Sequence, residues 1–283
     1  MAITITIANE KGGVGKTTTA VNLAAGLALR LSGLAGGGGR VLLVDMDPQG
    51  HALLATAFNQ HAVKAQYALP ALLTETPPPS VQRMIQRADH HPNLYVLPSN
   101  RPAMVEAARV LPSLMANETR LQRALSALDS QFAYVIIDTP PTTGDLLINA
   151  LVAADLIIIP VETTYLGVSG LRELQRTIEL VRLHFKPDLK IFGYLPTMVE
   201  EQRSEVQEIL VELARRYPDQ ILPPIHKSSD LAYAHSSHMD VFTYKPPRAR
   251  RPDQIASSSR ATQEYAGLVE RVLAETWPQQ VDQ

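Results

Sequence analysis

Residues 9 to 17 read NEKGGVGKT, and they constrain the fold more than any other stretch of the chain. Three glycines and two lysines stand between a β-branched run and a helical periodicity. A strand, a glycine loop and a helix in that order make a cradle whose backbone N–H groups and helix N-terminus attract phosphate. The usual pattern, G-x-x-x-x-G-K-[ST], requires a glycine at position 10 when Gly15 and Lys16 close it. Glu10 occupies that position, and a second lysine, Lys11, follows it at the loop entrance.

The rest of the chain supplies the alternation that such a loop needs. AITITIA, residues 2 to 8, predicts a buried first strand, and Val21, Leu23, Ala24, Leu27, Ala28 and Leu31 predict a helix beginning at Thr17. RVLLVDMDPQG, NLYVLPS, FAYVIIDTPP, DLIIIPV, KIFGYLPTM and DQILPPI predict further strands. Helices are expected at about 67–74, 80–88, 103–129, 143–153, 167–184 and 202–216. ETPPPS reads as a loop and SGLAGGGG as a flexible connector. Apolar strands alternating with helices imply an α/β fold, a mostly parallel twisted sheet with helices on both faces. Ligands of such sheets sit at the carboxyl ends of the strands, where Gly12, Asp47 and Asp138 fall. No internal repeat or long linker divides the chain, so residues 1–277 are expected to form one P-loop domain and 278–283 a flexible tail.

Composition removes whole classes of function. The 283 residues contain no cysteine, which excludes disulfides, thiol catalysis and cysteine-ligated clusters. No run of about 18 apolar residues offers a membrane span, and the N-terminus has no signal-peptide pattern. A cytoplasmic protein is expected. The net charge of −2 argues against a uniformly basic surface but leaves room for a local basic patch. His51, His61, His90, His91, His226, His235 and His238 show no metal-binding spacing, and no metal is assigned beyond magnesium.

In the loop, Gly12, Gly13 and Gly15 allow the tight turn, Lys16 is placed to pair with nucleotide phosphates, and the Thr17 hydroxyl is a magnesium ligand. Asp138, after the strand YVII, is placed to hold magnesium through water. The DMD sequence adds Asp45 and Asp47, giving three carboxylates to surround one metal and its attacking water. Hydrolysis of ATP is the favoured reaction. A second cation supplied by a partner subunit raises phosphoryl-transfer rates by roughly 10³–10⁵, and Lys11 at the loop entrance suits a nucleotide shared between two subunits.

KGGVGKTT, VLLVDMDPQG and VIIDTPP, followed by LIIIPVETTYLGVSGL, PTMVEEQ and ILPPIHKSSDLAYAHSS, resemble the deviant Walker A ATPases of the ParA/MinD group over most of the chain. The resemblance implies a homodimer with ATP sandwiched at its interface and Lys11 reaching across it. It implies nucleotide contacts from Lys11, Gly12, Gly13, Val14, Gly15, Lys16, Thr17 and Thr18, with Met198 and Pro223 near the adenine. Catalytic roles then fall to Lys11, Lys16 and Asp47, the last positioning the attacking water, and magnesium to Thr17, Asp47 and Asp138, the carboxylates acting through water.

Within the group, the chain is most like a ParA partition ATPase without an N-terminal helix-turn-helix extension. Its ending, AETWPQQVDQ, makes a poor membrane anchor. YKPPRARRP supplies Lys245, Arg248, Arg250 and Arg251, with Lys227 upstream and Arg203 as a weaker candidate, for sequence-independent contact with double-stranded DNA. The resemblance implies a nucleoid-associated protein whose hydrolysis a ParB-like centromere-binding partner stimulates. Two alternatives stand beside it: a related ATPase that positions a protein cargo on the nucleoid, and a P-loop small-molecule ligase or kinase.

Overall fold

The computed structural model describes residues 2–33, 39–54, 56, 64–128, 131–165, 170–245 and 259–277. Among these residues seven strands form one sheet: β1 (Ile3–Ile7), β2 (Val41–Asp45), β3 (Gln86–Arg87), β4 (Leu94–Leu97), β5 (Tyr134–Asp138), β6 (Leu156–Glu162) and β7 (Lys190–Thr197). Their order is β3-β4-β2-β5-β1-β6-β7, parallel throughout except for the β3–β4 pair. The two strands that end in aspartates, β2 and β5, are neighbours, and Asp45 and Asp138 are register partners. β1, which feeds the loop, lies on the other side of β5.

The ten described helices are α1 (Lys16–Ser32), α2 (His51–Leu54), α3 (Leu69–Thr74), α4 (Arg101–Val110), α5 (Arg120–Ser126), α6 (Asp145–Ala153), α7 (Leu171–His184), α8 (Ser204–Arg216), α9 (Ser229–Ser236) and α10 (Arg260–Thr276). Alternation along each strand sends side chains to two cores. Val41, Leu43, Tyr134 and Ile136 pack with α1 and α10, whereas Leu42, Val44, Val135 and Ile137 pack with α3 to α6. A third cluster joins β6 and β7 to α6, α7 and α8. Gly26 lets α1 and α10 approach closely, because a Cβ there would sit 2.6 Å from a Val269 methyl and 2.9 Å from the Phe242 ring.

Three stretches differ from the expected elements. Residues 80–88 are not a helix: Val81–Arg83 make one 3₁₀ turn, and Gln86–Arg87 then pair with β4 at the sheet edge. The helix expected over 103–129 is two helices. The first is capped by the Asn100 side chain and closes before Pro112, and the second starts after Ala116 has taken a left-handed conformation at φ 50°. DQILPPI does not become a strand either. It makes one isolated bridge to β7, Ile221 with Tyr194, and His226 just beyond it bridges Val199, because Pro223 and Pro224 have no N–H for a ladder.

Candidate nucleotide site

The loop turns through two left-handed glycines, Gly13 at φ 78° and Gly15 at φ 85°, and Gly15 hands the chain to α1. A side chain at either position would be strained whatever the space around it. Gly12 and Gly13 are exposed, Val14 is fully buried, and Thr17 and Thr18 lie half-buried in the first turn of α1. The Lys16 side chain folds back over the loop, its Nζ donating to the Lys11 carbonyl at 2.8 Å. Burial lowers the Lys16 pKa, against the opposing pull of the Asp138 and Asp47 carboxylates. Lysine and aspartates therefore share one electrostatic site.

Asp138 is fully buried at the end of β5. Its Oδ2 accepts the Thr17 hydroxyl at 2.7 Å, and the Thr139 N–H lies near the carboxylate, but Oδ1 has no well-formed hydrogen bond. Burial pushes its pKa up to about 7; the Thr17 bond and Lys16 oppose this, and Asp47 adds to it. A buried carboxylate oxygen with no partner is costly, and a hydrated cation would satisfy it. Thr17 donates its proton to Asp138 and keeps its oxygen lone pairs for a hard metal ion. The donor set thus fits magnesium.

Asp45 and Asp47 do different work. Both Asp45 oxygens are taken by backbone: Oδ1 by the Asp47 N–H at 3.0 Å, Oδ2 by the N–H groups of Ala52 at 2.9 Å and Leu53 at 3.4 Å. Asp45 therefore builds the turn instead of joining a cluster of three metal carboxylates, which corrects the sequence expectation. Burial and the neighbouring Asp138 and Asp47 carboxylates hold its pKa well above the ordinary value. Asp47 is half-buried at the sheet's carboxyl edge, with Oδ1 accepting the Gln49 N–H at 2.9 Å.

Lys11 points to the outer strands. Its Nζ meets Glu162 Oε2 at 2.5 Å and Thr164 Oγ1 at 3.4 Å, and its N–H is held by Asn9 Oδ1, whose side-chain amide in turn donates to the Pro160 carbonyl. The sequence reading missed Glu162, and also Thr197, whose hydroxyl donates to the Val14 carbonyl at 2.9 Å. Both are final residues of apolar strands, and that is the signal that would have found them. Met198, φ 54° and exposed, follows Thr197 directly, while Pro223 is exposed on the segment bridging to β7.

The basic candidates are only partly in view. Lys227 is exposed and pairs with Glu200 at 3.1 Å, as Arg203 does at 2.9 Å. Lys245 is exposed, whereas Arg248, Arg250 and Arg251 lie outside the described residues, as do the 278–283 tail and most of the glycine connector. Among the described residues no helix is long and apolar enough to cross a membrane.

A family model described as an AAA domain matches residues 2–191. The sporulation initiation inhibitor protein Soj of Bacillus subtilis is 35% identical over 271 residues, covering 95% of this chain and 98% of Soj. The chromosome partitioning protein ParA of Myxococcus xanthus is 38% identical over 225 residues, 78% of this chain and 74% of that protein. The solved structure of cobyrinic acid a,c-diamide synthase from Mycobacterium smegmatis with bound ATP analog and magnesium gives a TM-score of 0.78 at 29% identity, over 99% of this chain and 96% of that one. The loop, the strand-end aspartates and these likenesses agree: the chain belongs to the ParA/MinD-type ATPases.

Proposed function

We propose that this ATPase is a cytoplasmic, nucleoid-associated partition protein. Two subunits enclose ATP and magnesium, the dimer binds double-stranded DNA without sequence preference, and a ParB-like centromere-binding partner stimulates hydrolysis, so that plasmid or chromosome DNA is segregated. The observation that carries this reading is the convergence of Lys16, Thr17, Asp47 and Asp138 on one strand-end edge, with a second lysine at the mouth of the same loop. Relatives named for chromosome partitioning, matched over most of their length, support it.

The roles follow from the chemistry of each group. Lys16 and the loop N–H groups bind the phosphates, with Met198 and Pro223 beside the base. Thr17 and Asp138 hold magnesium, which when bound neutralises phosphate charge. Asp47 orients the attacking water, from a carboxylate that the Asp45 turn fixes in place. Lys11 serves the neighbouring subunit's nucleotide, and for that its ion pair with Glu162 must open. Lys245, Arg248, Arg250 and Arg251 contact DNA phosphates, and Lys227 joins them on release from Glu200.

Sedimentation velocity with and without ATP and magnesium, run beside DNA retention at moderate salt, tests the reading. An ATP-specific dimer that alone retains DNA is the expected outcome. A second reading, an ATP-dependent biosynthetic synthase, is favoured by the likeness to the Mycobacterium smegmatis synthase over nearly the whole of both chains. A species that stays monomeric with ATP, ignores DNA and turns over ATP only with a small-molecule acceptor would establish it instead.

A further inference from the structure

The carboxyl ends of β6 and β7 grip the two halves of the loop. Glu162 and Thr197 are register partners, and Glu162 holds Lys11 while Thr197 holds Val14. Thr197 is buried, 3% exposed, and its contact with the loop has two parts. The hydroxyl donates to the Val14 carbonyl at 2.9 Å, and the methyl lies 3.7 Å from where a Gly15 Cβ would stand. Thr197 is itself fixed from both sides. The Ile225 N–H donates to the Pro196 carbonyl at 2.8 Å, and the Val199 N–H donates to the Ile225 carbonyl at 3.2 Å.

The carbonyl and the N–H of one trans peptide point in opposite directions. With the Val14 carbonyl drawn toward β7, the Gly15 N–H of the same peptide must face away from β7. The left-handed Gly15 that follows carries no Cβ to oppose rotation of this peptide. Without a donor on the Val14 oxygen, the peptide could turn that buried oxygen toward the phosphate side to find water, replacing an attracting N–H by a repelling carbonyl.

We propose that Thr197 is a positioning residue for phosphate recognition: its hydroxyl locks the Val14–Gly15 peptide so that the Gly15 N–H is presented to a nucleotide phosphate. The inference rests on the loop being the ATP phosphate site. It assigns Thr197 no contact with the nucleotide, only with the backbone that makes the contact.

Thr197→Val keeps the shape and removes the hydroxyl; Thr197→Ser keeps the hydroxyl and trims the methyl. Binding of ATP, ADP and adenosine to the full chain, each by competition against a fluorescent ATP analogue, separates the phosphate from the base. Thr197→Val should weaken ATP and ADP about five- to twentyfold, the effect of one orphaned buried carbonyl, and leave adenosine unchanged. Thr197→Ser should bind all three like the wild type. Unchanged ATP affinity in Thr197→Val, or an equal loss for adenosine, would overturn the assignment. A wild type that does not bind ATP would instead refute the reading of the loop itself. Should Thr197→Val not fold, Thr197→Ala against Thr197→Ser carries the same comparison.

Discussion

Asp138 sits in an environment poorly suited to a carboxylate in the absence of a cation. One oxygen is satisfied by Thr17 and the other is buried with no well-formed bond. Function and stability therefore pull in opposite directions at this residue, as they often do where a site awaits a charged ligand. Asp138→Asn should raise the melting temperature of the nucleotide-free protein by about 2–4 °C. It should also remove the additional rise that ATP with magnesium gives the wild type. Differential scanning calorimetry of both proteins, with and without ATP and magnesium, reads the two effects at once. Asp45, one strand over, is also fully buried with a raised pKa, but three backbone N–H groups occupy its two oxygens, so neither is left without a partner.

Among the elements, the short segment from Asp240 to Tyr244 depends on one carboxylate. Asp240 meets His91 Nε2 at 2.8 Å and accepts the N–H groups of Phe242 and Thr243 and the Thr243 hydroxyl. Burial acts to raise the Asp240 pKa, but the His91 contact and these hydrogen bonds outweigh it and leave the value below the ordinary aspartate one. A depressed carboxylate pKa contributes stability above the unfolded value that is lost as pH falls through the folded one. Asp240→Asn should cost about 1.5–3 kcal/mol at neutral pH by urea denaturation, as expected when buried hydrogen bonds lose a charged acceptor. The gap between the two proteins should narrow below about pH 4. No simple sequence signal pairs His91 with Asp240, 149 residues apart.

Across the whole molecule, what was legible in the sequence was whatever repeats locally. The strands flanking the loop, the helix after it and the positions of Asp47 and Asp138 follow from apolar runs and punctuation. The edge of the sheet does not: residues 80–88 have helix-compatible apolar spacing, yet pairing with β4 decides their conformation. Nor does local pattern reveal that Asp45 folds back on the turn while Asp47 faces outward, because that depends on where α2 begins. The grip of Glu162 and Thr197 on the loop required knowing that β6 and β7 lie side by side. The DNA-binding proposal also belongs to this scale, since it concerns a summed field and not one contact. Reversing the charges of Arg248, Arg250 and Arg251 should weaken DNA binding and flatten its salt dependence by about two to three units of slope. Titrations with labelled duplex at several salt concentrations would show this, and ATP affinity should stay as it was.

The ion pair between Lys11 and Glu162 has a consequence for how two such subunits would come together. If Lys11 crosses to a neighbour, each subunit surrenders one internal charge contact and gains one external contact, so the tally of pairs is unchanged. Joining then resembles a handshake between two hands that were each already closed. At Lys11 the gain then comes from the nucleotide between them, whose phosphates offer it more negative charge than a single carboxylate does. An empty subunit would have no reason to let go.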